Sequence, residues 1–165
     1  MTDDDARSGR AAKHSRHRAR EAALQMLYQA EIGRTEIREV TQVFWRSQDA
    51  AFTDQQQAFA NALAHGTSGR LEEIDPLISA SAAHWRIERM AVIDRLVLRL
   101  AVYEMLHQPD TPRTVVIDEA IELARTFSGA DAAKFVNGVL DDVRRRLEAA
   151  DGTKAAPMDS PSNEA

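Results

Sequence analysis

The sequence predicts an all-α fold, a compact bundle of about seven helices. Three observations support this prediction. Aromatic residues make up only 5% of the chain and glycine is sparse, which disfavours sandwiches and barrels. Apolar residues recur three and four positions apart, which is the helical period. They make up 44% of 165 residues, enough for the core of a single domain.

The first elements are a polar arm and a helix. Residues 1–14 are polar and charged without a period, which predicts a flexible arm. Residues 15–32 carry an apolar stripe at helical spacing, and Gly33 ends this first helix.

The next elements are a second helix and a longer one with breaks. Residues 35–48 form the second helix by the same period. Thr53 and Gln56 resemble a capping box that opens a third helix, which continues to Ile78. Pro76 marks a kink or a break near its end.

The second half of the chain predicts three more helices. Residues 90–106 are apolar nearly all round, which is typical of a central helix in a bundle. Pro109 and Pro112 then force a loop. Helices follow at 116–127 and 131–147, each with apolar residues at helical spacing.

A glycine and a tail complete the chain. Gly138 falls inside the last helix, where it costs about 1 kcal/mol relative to alanine. A close helix–helix approach would explain it, and a helix break at Gly138 is the alternative. Residues 149–165 are small and polar, which predicts disorder. The predicted organisation is therefore an arm at 1–14, a helical domain at 15–148 and a tail at 149–165.

The charge distribution indicates a polyanionic partner. The chain has a net charge of −5, yet residues 7–20 hold six basic and no acidic side chains. If the first helix extends backward by a turn, one face carries a basic ridge of Lys13, Arg16, His17 and Arg20. Such a ridge fits a phosphate backbone, and arginine also stacks on unpaired bases of single-stranded RNA. The alternative is a solvated arm that keeps the protein soluble, and a membrane surface is disfavoured because the opposite face lacks bulky apolar residues.

The sequence contains no strong catalytic motif, so we predict a protein without catalytic activity or cofactor. The sequence has no phosphate-binding glycine loop, no nucleophile elbow and no cysteine. His14 and His17 form no recognisable metal motif, and the acidic residues of 118–122 are interpreted as a solvated helix face. No signal peptide or membrane span is predicted, which favours a cytoplasmic protein without membrane contact.

Four segments resemble one bacterial family. They are RHRAREAALQMLYQAE at 16–31, DRLVLRLAVYEML at 94–106, VVIDEAIELARTF at 115–127 and KFVNGVLDDV at 134–143. In order and spacing they are similar to the NusB transcription antitermination factors, over roughly residues 14 to 147. The FVNGVLD block, which follows DEAIELA, is quite specific to the family.

The resemblance implies a fold, a function and partners. It implies two packed helical subdomains that bind the single-stranded boxA element of ribosomal RNA transcripts together with the ribosomal protein NusE. Other Nus factors and RNA polymerase complete the assembly, and some family members form homodimers. The alternative function is a helical protein-interaction module, or a homodimer, without independent RNA binding.

The resemblance also assigns residues. His17 stands where the family often has arginine. The implied NusE surface holds Glu88 and Asp94, which border the apolar helix at 90–106. With the basic ridge included, the predicted RNA-binding residues are Lys13, Arg16, His17, Arg18, Arg20, Tyr28, Asp131, Lys134 and Phe135.

Overall fold

The computed structural model describes residues 3–155, and within them the chain forms seven α-helices and no strand, which confirms the predicted all-α fold. Short 3-10 segments lie at Trp45–Ser47 and Ile87–Arg89. In that part of the chain no helix is both long and apolar enough to cross a bilayer. The helices are α1 (Asp3–Gly33), α2 (Ile37–Phe44), α3 (Asp54–Gly69), α4 (Leu71–Ser81), α5 (Val92–His107), α6 (Arg113–Phe127) and α7 (Ala130–Ala155).

Helix α1 begins twelve residues earlier than the sequence predicted. Residues 3–14, predicted as a flexible arm, continue α1 as a helical extension with almost entirely exposed side chains. The composition of this segment is compatible with a helix. Asp3, Asp4 and Asp5 occupy the first turn, where negative charge interacts favourably with the helix dipole. Several alanines follow without a proline. The other end agrees with the prediction, since α1 ends at Gly33.

The predicted third helix is two helices. The capping box is confirmed, with Gln56 N–H donating to Thr53 Oγ1 at 3.1 Å and Thr53 N–H donating to Gln56 Oε1 at 2.9 Å. The break, however, lies at Arg70 between α3 and α4, and Pro76 is accommodated inside α4. The alternative of a break at the proline is therefore wrong, and the boundary lies six residues earlier.

Helix α7 also runs further than predicted. It continues from the expected end near Leu147 to Ala155. Ala149 and Ala150 favour helix, and Arg113 of α6 donates to Asp151 at 2.8 Å, which ties the added turns to the bundle. The rest of the predicted tail, 156–165, lies outside the described residues.

The helices pack as two groups around α5. Helices α1, α2 and α3 pack on one another, α6 and α7 form the closest pair of the second group, and α4 joins them. Helix α5 contacts α1 and α3 as well as α4, α6 and α7. Its predicted central position is confirmed, since residues 96–98 and 100–105 are all buried.

The close helix–helix approach predicted at Gly138 occurs at a different glycine. Gly138 is exposed, and a Cβ built on it meets no atom within 4 Å. Helix α7 is unbroken there, so both interpretations of Gly138 are wrong. Gly66 in α3 instead lies against the ring of Tyr103 in α5, where a Cβ would come closer than 3.0 Å. Sequence spacing alone did not distinguish the two glycines.

We therefore expect Gly138→Ala to raise the free energy of unfolding by about 0.5–1 kcal/mol, because an exposed helical glycine carries only the propensity cost. Urea unfolding of the full chain measures this change. A loss of stability would show that the α7 backbone at this position is packed after all.

Candidate nucleic-acid interface

The basic cluster of α1 divides into exposed and buried side chains. Because α1 is continuous, its first half places Arg7, Arg10, Lys13 and Arg16 in solvent, while Arg18 is half-buried. Lys13 and Arg16 border a groove of about 330 Å³ formed with the loop around Thr111 and Pro112 before α6. Of the four residues of the predicted ridge, Lys13 and Arg16 are therefore exposed.

Two arginines of this part of α1 lie against aromatic rings. The guanidinium carbon of Arg16 lies 4.9 Å from the Phe59 ring centre, and its Nη1 donates to Thr111 Oγ1 at 3.3 Å. The guanidinium carbon of Arg18 lies 4.4 Å from the Phe52 ring centre. Stacking on a ring orients a guanidinium while leaving N–H donors available, which suits phosphate recognition.

Arg20 does not belong to this face. It is only 3% exposed and forms a fork-shaped ion pair with Glu104 of α5. The Nε–Oε2 distance is 3.0 Å and the Nη2–Oε1 distance is 2.5 Å. The prediction that Arg20 binds RNA finds no support in this geometry, since its Nε and Nη2 donors face a buried carboxylate. One signal was available: Glu104 sits in a helix apolar nearly all round and needs a buried cation.

His17 also faces acidic side chains instead of solvent. Its Nδ1 lies 2.5 Å from Glu119 Oε2 and its Nε2 lies 3.0 Å from Glu21 Oε1. Burial opposes the charge on the ring, but the hydrogen bond to Glu119 and the nearby carboxylates outweigh it, so the pKa of His17 is raised. Both ring nitrogens of His17 are therefore paired with carboxylates and do not point toward a phosphate backbone along α1.

The acidic run at 118–122 is only partly a solvated face. Asp118 and Glu122 are exposed as predicted, but Glu119 is 2% exposed and lies against His17 and Arg20. Since Glu119 is 102 residues from His17 in the chain, sequence spacing could not reveal this contact.

A second cluster joins residues from two parts of the chain. Asp94, Asp131 and Phe135, predicted separately, line one cavity of about 240 Å³. Trp85 lines it too and meets Phe135 edge to face, with ring centres 6.0 Å apart. Trp85 is 60% exposed and was missed, because the sequence around it does not show that its side chain is exposed beside Phe135.

The remaining predicted residues lie on separate surfaces. Lys134 is exposed on the first turns of α7, and Tyr28 is 41% exposed on α1, about 15 Å along the helix from Arg18. Glu88 is exposed and lines a groove with Arg95 and Arg99, outside the aromatic cavity that Asp94 borders. Glu88 and Asp94, predicted as one partner surface, therefore face two different cavities.

Comparison with known proteins identifies a family for this chain. The model of the NusB family matches residues 17–145. The transcription antitermination protein NusB of Koribacter versatilis is 44% identical over 135 residues, which cover 82% of this chain and 92% of that protein. The NusB protein of Symbiobacterium thermophilum is 43% identical over 148 residues, covering 86% and 97%.

Solved structures of the same family share the fold. NusB of T. maritima superposes with a TM-score of 0.71 at 38% identity, covering 79% of this chain and 90% of that one. A chain in the solved structure of the antitermination factors NusB and NusE in complex with dsRNA gives a TM-score of 0.69 at 25% identity, covering 81% and 98%.

Proposed function

The chain belongs to the NusB family, and from this membership we propose that it is an RNA-binding transcription antitermination factor. It binds boxA-type RNA of ribosomal RNA transcripts together with the ribosomal protein NusE, in an assembly with other Nus factors and RNA polymerase. The similarity to a chain in the solved structure of the antitermination factors NusB and NusE in complex with dsRNA supports this assignment. The protein acts by binding, without a catalytic step, and in the cytoplasm.

The observation that carries the proposal is the ring-supported pair Arg16 and Arg18. These two arginines and Lys13 belong to a segment of α1 without acidic residues, in a protein that is acidic as a whole. Electrostatic attraction for a phosphate backbone is therefore concentrated on this segment of α1. Residues 3–14 of α1 add further exposed basic side chains to the same helix.

The aromatic cavity supplies a second RNA contact. Trp85 and Phe135 offer ring faces and edges on which an unpaired base stacks, a mode worth about 1–3 kcal/mol per base. Lys134 is exposed in the same turn of α7 and contacts phosphate, and the carboxylate of Asp131 accepts from base N–H groups. Tyr28 offers a further exposed ring on α1.

The proposed function is tested by RNA binding as a function of salt. We expect the variant Arg16→Ala/Arg18→Ala to bind boxA-like RNA more weakly at low salt and to flatten the log–log salt slope by about 1.4, since each phosphate contact to a single strand contributes about 0.7. Fluorescence anisotropy with labelled RNA measures both quantities. The matched control is Arg145→Ala/Arg146→Ala, which removes two exposed arginines of α7 and the same net charge.

The same titration separates the two function classes. Binding to RNA by the protein alone, strengthened by NusE, agrees with the proposal. RNA binding that appears only when NusE is present would favour a protein-interaction module. Equal slopes for the α1 and α7 double variants would remove Arg16 and Arg18 from the interface.

For NusE we propose the groove beside Glu88 as the contact surface. Glu88 is exposed on the segment before α5, and a carboxylate there complements a basic ribosomal protein. We expect Glu88→Lys to weaken NusE binding by roughly three- to tenfold, chiefly through slower association. Binding of RNA alone should stay the same or improve slightly.

Surface plasmon resonance measures the association and dissociation rates of NusE. The control is Glu39→Lys, which makes the same charge change at an exposed position of α2. Equal losses of NusE affinity in both variants would argue against a local contact at Glu88.

A further inference from the structure

A cluster of side chains between α1 and α6 has the composition of a metal site. It consists of His17, Glu119 and Glu122, whose ligand atoms all lie within 4.8 Å of one another. His17 Nδ1 is 2.5 Å from Glu119 Oε2 and 3.7 Å from Glu122 Oε2. We call these three residues the His17 cluster.

We propose that the His17 cluster binds one divalent transition-metal ion of the Zn²⁺ type. The ion takes the place of the proton on Nδ1, between the imidazole and the two carboxylates. One nitrogen and two carboxylate ligands with an open fourth position form a set that zinc accepts. Mg²⁺ and Ca²⁺ prefer oxygen ligands alone and are poorer candidates for this cluster.

The distances require only small movements. Ligand atoms bound at about 2.0–2.2 Å in a tetrahedral site stand about 3.3 Å apart. Nδ1 and the Glu119 oxygen are already closer than this, and Glu122 has 54% of its side chain exposed, so it is free to move the remaining distance. The exposed side of Glu122 leaves the fourth position to water.

The second ring nitrogen of His17, Nε2, already has the carboxylate partner that a metal-binding histidine usually has. Glu21, one turn further along α1, lies 3.0 Å from Nε2. A carboxylate on the far nitrogen fixes the tautomer, turns Nδ1 toward the ion and raises its basicity. This contact is independent of the two carboxylates that would bind the ion.

The local charges also favour a cation. Three carboxylates, from Glu21, Glu119 and Glu122, surround a single imidazole. The Arg20 guanidinium lies 3.8 Å from Glu119, but its charge is already matched by the buried Glu104. An added divalent ion would therefore meet three carboxylates within the cluster, while Lys13 and Arg16 line the neighbouring groove. The bound ion would link α1 to α6.

The test uses the full chain without an affinity tag and the metal alone. We expect one Co²⁺ per chain with the visible absorption of a four- or five-coordinate site, and one Zn²⁺ per chain by calorimetry, weakening as the pH falls because protons compete for the ligands. Glu122→Gln should weaken Zn²⁺ binding at least tenfold. Glu21→Gln should weaken it by about ten- to a hundredfold, as loss of a carboxylate behind a ligating histidine does.

Two further variants make the result decisive. His17→Gln should abolish binding, while His14→Gln, an exposed histidine one turn earlier on α1, should leave it unchanged. Zn²⁺ should raise the melting temperature of the wild type but not of Glu122→Gln. Since Glu122 is exposed, its variant folds even if His17→Gln does not. The absence of stoichiometric binding, or binding that survives Glu122→Gln and is lost in His14→Gln, would overturn the proposal.

Discussion

Replacing Arg20 by methionine should lower the free energy of unfolding by about 3–5 kcal/mol, because it leaves the buried Glu104 carboxylate without its cation. Both partners are almost completely buried, and the fork of Arg20 satisfies both oxygens of Glu104. Glu119 would lose a nearby positive charge as well. Urea unfolding, followed by circular dichroism, measures the loss.

A double variant shows where the cost comes from. Arg20→Met/Glu104→Leu removes both charges and should recover most of the lost stability, since an apolar pair of similar volume often matches a buried ion pair. Arg20→Lys keeps the charge but loses the fork, so its cost should be intermediate. If Arg20→Met cost less than about 1 kcal/mol, the pair would behave as an exposed one and the burial argument would be wrong.

Gly66→Ala should cost about 1–3 kcal/mol, because a methyl group there overlaps the ring of Tyr103 and the α3–α5 contact must open. The ring has little room to turn away, since Tyr103 is buried and its centre lies 5.0 Å from that of His107. Thermal unfolding and urea unfolding should both report the loss.

The matched control is Gly69→Ala, three residues further along α3, where an added Cβ meets no atom within 4 Å. That substitution should be neutral or slightly stabilising by the propensity term. In the background of Tyr103→Ala, Gly66→Ala should lose most of its penalty, because the two residues are in contact and their effects are not additive. Equal behaviour of Gly66→Ala and Gly69→Ala would refute the close approach.

Local signals in the sequence predicted the helices well. The capping box at Thr53, the end of α1 at Gly33 and the apolar circumference of α5 each depend on residues within a few positions. The boundary between α3 and α4 was misplaced because a proline inside a helix can be tolerated, and a break can occur without one. The added turns at the start of α1 and the end of α7 were missed because these segments are polar and lack a helical period of apolar residues. Their alanines favour helix all the same.

The candidate site was predictable only in part, because its contacts are distant in the chain. The exposed Arg16 and the half-buried Arg18 follow from the charge pattern, but the aromatic rings beneath them belong to other elements. Arg20 and Glu104 are 84 residues apart, and nothing in the spacing of basic residues separates Arg20 from its exposed neighbours. Trp85 reaches Phe135 only once α7 has packed.

The central position of α5 has a consequence for how the molecule unfolds. Neighbouring residues of this helix, Tyr103 and Glu104, serve two different contacts, one with Gly66 of α3 and one with Arg20 of α1. Since α5 also packs on α4, α6 and α7, neither group of helices keeps a complete core when α5 leaves. We therefore expect the two groups to unfold together in one cooperative transition. A destabilising change in either group would then lower the stability of the whole domain.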